Sequence, residues 1–269
     1  MSLTQSLLPP DAEAELAAAF ARLDQPSLAV RLSGMLGAPI EALRARLPAG
    51  AQGMVEGAVR GALSAAMQAA LRSAPSANPL PVPDRWWHRG LAAASGAAGG
   101  AFGLPGTLLE LPLSTTLLLR QIAAIAAAEG EDLADPATAA ECLKVFALGG
   151  RDPRDDAAEA GYFAVRLALA EALKGSLTAG LVGGLMPGFL AAVASRFAGP
   201  VATKLAAQAA PLVGAAAGAG VNIAFLEHFR GVAEGHFCVR RLERTHGPAL
   251  IQAAWERLAA TKDARFLGS

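Results

Sequence analysis

The sequence predicts an all-α protein, a compact multi-helix bundle with long Gly/Ala-rich apolar core helices. Three observations predict it. Apolar residues recur at helical spacing along most of the chain. No run alternates β-branched and polar residues as a half-buried strand would. Of the 269 residues 53% are hydrophobic and only 5% aromatic, and 29 are Gly, so small residues let helix backbones approach closely. A chain of this length can bury a sizeable core. Basic and acidic residues number 23 each, and no basic stripe with interleaved aromatics is present. Nucleic acid is therefore not an expected partner.

Taken in order, residues 11–74 read as three or four helical stretches. Asp11 is placed to cap the first, with Glu13 and Glu15 in its first turn. Leu16, Ala19, Phe20 and Leu23 then supply its apolar face, and Pro26, Pro39 and Pro48 mark breaks or first turns. Met54, Val55, Ala58, Ala62, Leu63 and Met67 recur at helical spacing in the next stretch. The run from Ser73 to Pro83 holds four prolines and reads as a linker. It separates a helical N-terminal extension (1–78) from a main helical domain (79–262), followed by a short tail (263–269). Asp84 caps a helix that opens Arg85-Trp86-Trp87-His88-Arg89.

The segment from Leu108 to Gly130 is the most apolar helix, with Glu110 near its cap, Pro112 in its first turn and Gly130 at its stop. Being apolar all round, it is expected at the centre. Asp135-Pro136 opens the next helix, which ends at Gly149-Gly150. Charged residues from Arg151 to Asp156 form an exposed loop, and Tyr162 to Lys174 is helical with Arg166 inside it. Pro187 to Phe197 and Lys204 to Ala210 read as two further helices, the second stopped by Pro211. Gly214 to Gly220 leads into the last long helix.

That last helix carries the most informative pattern. Projected at about 100° per residue, Asn222, His236 and Arg240 share a face with Phe225, Leu226, Phe229 and Ala233. Glu227, Arg230, Glu234 and Arg241 gather on the opposite face, where water is expected. A buried cation or amide costs several kcal/mol, on the order of 2–7, unless it is paired. Arg120 projects with Leu113, Leu117 and Ala124, which makes it a second candidate buried cation.

No charge occurs between Arg89 and Glu110, between Lys174 and Arg196, or between Lys204 and Glu227. Each gap reaches the roughly 20 residues needed to cross a bilayer. Their Gly/Ala composition drives insertion weakly, and Pro105, Pro187 and Pro211 interrupt them. We read them as buried helices. Hairpins that enter or lie on a membrane are the alternative. Cys142 and Cys238 have no partner at metal-ligand spacing and read as reduced core cysteines, which fits a cytoplasmic compartment. The first residues lack a basic region followed by an apolar run, so no signal peptide is expected.

The run from Leu111 to Leu133, Leu-Pro-Leu-Ser-Thr-Thr-Leu-Leu-Leu-Arg-Gln-Ile-Ala-Ala-Ile-Ala followed by Gly-Glu-Asp-Leu, resembles the core motif of the EcsC protein family. That family usually opens the motif with Asp-Leu-Pro; here Glu110-Leu111-Pro112 keeps the carboxylate. Ser195-Arg196-Phe197, Lys204 through Gln208 to Gly214, Asn222, and Gly235-His236-Phe237-Cys238-Val239-Arg240-Arg241-Leu242-Glu243-Arg244 agree as well. The resemblance spans roughly residues 79 to 262. It implies an association with ABC-transporter operons in some bacteria and carries no established biochemical activity.

Chemistry is sparse. Ser195, His236, His228 and Glu110 could supply a nucleophile, base and acid, but no Gly-x-Ser-x-Gly elbow exists. The four histidines show no metal spacing, and the glycines at 96–103 and 214–220 lack the context of a phosphate loop. No cofactor or metal is expected. Two readings remain for the polar set Glu110, Arg120, Asn222, His236 and Arg240. It is a structural network that fixes helix register, or a pocket in which the arginines meet an anionic head group beside apolar walls. The leading functional expectation is a non-catalytic protein, cytoplasmic or membrane-peripheral, that binds a lipid-like amphipathic ligand or a membrane surface. The alternatives are a hydrolase using His236 with Glu110, or an accessory protein of an ABC transporter. A contact between Glu110 and Arg240 is expected, leaving Arg120 to an anionic head group.

Overall fold

The computed structural model describes residues 8–37, 51–72, 111–150, 161–177, 187–208 and 215–267, and the single positions 39, 42 and 45. Nine helices and no strand occur among the described residues, an all-α fold. Helix α1 spans Pro10–Leu23, with Pro10 in its first turn and Ala12, Leu16, Ala19 and Leu23 buried. Asp11 lies inside that turn and does not cap it; no side chain does. Helix α2, Leu28–Leu36, is capped by Ser27 and stops at Gly37, whose φ of 61° suits a residue without Cβ. Helix α3, Ala51–Arg72, buries Val55, Val59, Ala62 and Leu63 at helical spacing.

Helix α4 covers 111–128 and ends in a tight reversal at Gly130, φ 81°. There Glu131 N–H donates to the Ala126 carbonyl at 3.0 Å and Gly130 N–H to Ala127 at 3.0 Å, the paired bonds that satisfy orphan carbonyls at a helix end. Helix α5, Pro136–Leu148, starts as its sequence dictates, with the Asp135 carboxylate accepting from Ala137 N–H. Helices α6 (Tyr162–Leu177), α7 (Pro187–Gln208), α8 (Ala215–His246) and α9 (Pro248–Leu267) complete the described chain.

Helices α7 and α8 form the centre. Against α7 pack α2, α3, α5 and α6; against α8 pack α1, α2, α5 and α9. The N-terminal helices therefore lie on the later ones. The aromatic heart is Phe146 of α5, Phe197 of α7, and Phe225 and Phe229 of α8, with ring centroids 4.8–6.0 Å apart.

The sequence broke α7 near Pro200, whereas the helix runs through it. Proline supplies no N–H to the carbonyl four residues back, here that of Arg196. The loss is outweighed by an unbroken buried stripe of Val193, Phe197, Val201 and Leu205. Gly150, at the end of α5, lies against that same Arg196 carbonyl, so closely that a Cβ would overlap it; a Cβ at Gly149 would overlap the Phe229 ring. Two glycines thus set the approach of α5 to α7 and α8.

Gly150→Ala should destabilise the fold by about 1–3 kcal/mol, since backbone meets backbone and neither can yield. Gly231→Ala, on α8 with open space around it, should stabilise by up to about 1 kcal/mol through helix propensity. Urea denaturation of the two variants checks the contrast.

Candidate functional site

Three helices and one turn deliver a set of charged side chains to a common centre. Helix α8 supplies His236, Arg240, Glu243 and Arg244 along one stripe, as spacings of three, four and eight residues require. Helix α5 supplies Glu141 and Lys144 at i, i+3, helix α6 supplies Tyr162 and Arg166, and the turn after α4 supplies Glu129 and Glu131. Glu141 is the hub. Its Oε1 receives Lys144 Nζ at 2.8 Å and Arg240 Nη1 at 3.3 Å, and its Oε2 faces His236 Nε2 at 3.1 Å. The other ring nitrogen, Nδ1, lies 2.8 Å from the Tyr162 hydroxyl. Arg240 also grips Glu131 with both arms of its fork, at 2.8 and 3.0 Å, the bidentate geometry that makes arginine suit a carboxylate. Arg166 does the same to Glu243 at 2.8 and 2.9 Å.

A second tier ties α8 to the turn. Arg244 bonds Glu131 and, at 2.6 Å, the Glu129 carbonyl. Arg241 joins Glu129 at 2.6 Å to Glu15 of α1 at 2.6 Å. Two turns before His236 on α8, His228 Nε2 lies 2.8 Å from the Gly149 carbonyl at the end of α5, to which it donates.

The protonation states follow from burial and partners. Burial alone would raise Glu141, but the His236 hydrogen bond and the charges around it prevail and hold its carboxyl well below the usual range. Burial would raise Glu131 too; the Arg240 hydrogen bond and the Arg240 and Arg244 charges keep it low. His236 is wholly buried, and desolvation outweighs the pull of Glu141, so it stays neutral. The assignment that satisfies both ring atoms is an Nε2–H donating to Glu141 and an Nδ1 accepting from Tyr162. Burial pushes the Tyr162 phenol up, and it pushes the Cys142 thiol up to about 12.

Tyr162, His236 and Glu141 stand in the order of nucleophile, base and orienting carboxylate. The relay is closed to solvent: Tyr162 is 5% exposed and His236 0%. The charges inside also balance. Glu131, Glu141 and Glu243 face Lys144, Arg166 and Arg240, so the cluster calls for no further anion. This geometry suits a network that fixes how α5, α6 and α8 meet. Among the described residues, no group of three or more His, Cys, Asp or Glu is placed to hold a metal ion.

His236 lies on the buried face that the helical projection gave it, and Asn222 is buried on α8 as well. Arg240 is three-quarters buried, with Glu131 and Glu141 as its carboxylates; Glu110 lies outside the described residues. Arg120 requires correction. It is exposed, on the side of α4 that carries Leu113, itself 57% exposed. The projection grouped these residues properly, but an all-round apolar helix gives no sign of which side faces in. The structure turns Leu111, Thr115, Leu118, Ile122 and Ala126 inward. The face opposite His236 is not free either, because α1 covers it: Arg22 reaches Glu234 at 3.4 Å and Glu15 reaches Arg241. Ser195 spends its hydroxyl on the Ala192 carbonyl at 3.0 Å, and His236 is bonded to other groups. Sequence reasoning missed Glu131, Glu141, Lys144 and Tyr162. One signal was readable: Glu141 and Lys144 are the lone charges of the otherwise apolar helix Pro136–Leu148.

The model of the EcsC protein family matches residues 83–242, more than half of the sequence. The chain belongs to the EcsC protein family. The matched region holds α4 to α7 and all but the end of α8, and so contains Glu131, Glu141, Tyr162, His236 and Arg240 of the network; Glu243 and Arg244 lie just beyond it. No curated protein and no solved structure matches the chain.

Removing one partner from a buried charged cluster leaves the others uncompensated. Glu141→Gln should therefore cost about 3 kcal/mol in a urea melt, and Arg240→Ala a similar amount. Arg241→Ala, whose side chain is 37% exposed, should cost no more than about 1 kcal/mol.

Acid should weaken the fold in two stages. His228 and His236 have folded pKa values below 6.5, so the unfolded chain takes up protons first as pH falls. The stability due to their neutrality is complete above 6.5 and is lost as pH drops through their folded values. Glu131 and Glu141, lowered from 4.5, add a further loss below 4.5. Denaturant midpoints measured across this range should fall monotonically with acid; a flat profile down to 4.5 contradicts the histidine assignment.

Proposed function

We propose that this EcsC protein is a non-catalytic helical module that docks on an anionic membrane surface through the outward face of α4. The observation that carries the reading is a mismatch between composition and burial. The window Leu111–Ala128 has a mean hydropathy of 1.4 and the length to cross a bilayer, yet only 39% of it is buried. A helix this apolar in a protein core is normally covered. Its exposed side presents Pro112, Leu113, Arg120, Ala127 and Ala128, flanked by half-buried Thr116, Leu117 and Ala124.

Arg120 sits in the middle of that face and makes no ion pair with any described residue, unlike Arg166, Arg240, Arg241 and Arg244. An arginine stem can lie along acyl chains while its fork rises to a lipid phosphate. A helix of this kind lies in the interface plane and binds reversibly. Each leucine contributes about 2 kcal/mol when buried, and a basic residue near an anionic surface about 1 kcal/mol. The closed, charge-balanced centre at His236 favours this reading over hydrolysis.

Co-sedimentation with phosphatidylcholine vesicles, with and without phosphatidylglycerol, tests it. The wild-type protein should pellet with the anionic vesicles and be released by alkaline carbonate. Leu113→Asp with Leu117→Asp should abolish pelleting. Arg120→Glu should weaken it about tenfold on anionic vesicles only. Pelleting that survives the double substitution, or none by the wild type, overturns the reading. Retention after carbonate would indicate a spanning helix instead.

A further inference from the structure

We propose that His236 is an acid-operated latch: a proton added at Nδ1 releases the first turn of α6 from α8. The inference is independent of how α4 is used. Tyr162 is the first residue of α6, and its hydroxyl is the group that meets Nδ1. Helix α6 packs on α5 and α7. Among the described residues, two side-chain hydrogen-bonded ties join it to α8, Tyr162 to His236 and, one turn later, Arg166 to Glu243.

The two ties respond differently to acid. The Arg166–Glu243 pair joins a permanent cation to a carboxylate. In the Tyr162 tie the neutral ring accepts at Nδ1 and the phenol donates. Once Nδ1 carries hydrogen, the contact can persist only reversed, with the ring N–H donating to the phenol oxygen. The phenol O–H then has to turn away, and with no other partner for it among the described residues a buried donor is left unsatisfied until water reaches it. The Nε2–H cannot give way, because Glu141 holds it at 3.1 Å.

Charge opposes the added proton as well. The groups facing His236 are Glu141 and Lys144 from α5, Tyr162 and Arg166 from α6, Arg240 and Glu243 from α8 itself, and Glu131 from the turn, through Arg240. Helix α9 brings the Trp255 ring, 4.9 Å from Tyr162 and 5.6 Å from Phe163. Three carboxylates already match three cations, so an imidazolium is one charge too many in a sealed site. Outward movement of Tyr162 admits water to the ring, with the Arg166–Glu243 pair as the hinge. It also parts Tyr162 from Trp255, which gives the motion an optical reporter.

Two measurements on the full chain test the latch. The first is hydrogen exchange of the Ala164 and Val165 amides, both bonded to the Gly161 carbonyl at the start of α6, corrected for intrinsic rates. The second is Trp255 emission in a Trp86→Phe/Trp87→Phe background, where it is the remaining tryptophan. Between pH about 7.5 and about 5.5 the opening of this turn should rise about tenfold per pH unit below the titration of the ring. Trp255 emission should shift to the red, and helix content should stay constant. His236→Gln should abolish both responses, while His228→Gln keeps them. Tyr162→Phe should raise exchange of the turn at neutral pH and flatten its pH response, which serves if His236→Gln fails to fold. An acid-insensitive first turn, or an unchanged response in His236→Gln or Tyr162→Phe, overturns the proposal. So does a response that appears only with loss of helix content.

Discussion

The structure depends most on one buried carboxylate, that of Glu141. Its two oxygens gather a lysine, an arginine and an imidazole from two helices. Such a group is tolerable inside a protein only because both of its oxygens have charged or hydrogen-bonding partners. The geometry therefore allows little slack: α5 and α8 must cross where Glu141 meets His236 and Arg240. Non-directional packing of Ala, Leu and Val could accept several registers. A hydrogen-bonded charge accepts one. In a bundle rich in small residues, which slide past one another readily, that specificity has a clear use.

Small residues set how close the helices come, and the charges set where. Gly149 and Gly150 bring the end of α5 against Phe229 and the Arg196 carbonyl. Pro200, one turn on, has no N–H to give that carbonyl. A similar economy appears at α1, where Gly235 of α8 faces Leu23, and a Cβ there would lie 2.7 Å from the Leu23 Cγ. The arginines that follow on α8 then fasten the turn after α4. Arg240, Arg241 and Arg244 all reach Glu129 or Glu131. The C-terminal end of α4 is thus held at a fixed place on the bundle while its opposite face is left outward. A rigid base beneath an apolar face is what docking on a lipid surface would require.

What the sequence determined by itself was local. Helix class followed from spacing and from the absence of alternation. The start of α5 followed from Asp135-Pro136, the end of α4 from Gly130, and the inward aim of His236 from a stripe it shares with Phe225, Phe229 and Ala233. These are properties of a few neighbouring residues. Partners were not local. Arg240 and Glu131 are 109 residues apart, Tyr162 and His236 74, and nothing in the spacing along one helix says which carboxylate another helix will bring. The sequence placed α4 at the centre with Arg120 buried, because an all-round apolar helix has no face that periodicity can choose. Only tertiary packing decided it: α4 turns one side inward and leaves Arg120 outward. Packing likewise carried α7 through Pro200 and laid α1 over the side of α8 that its charges had marked for water. Burial is a property of two surfaces, and one sequence segment describes only one of them.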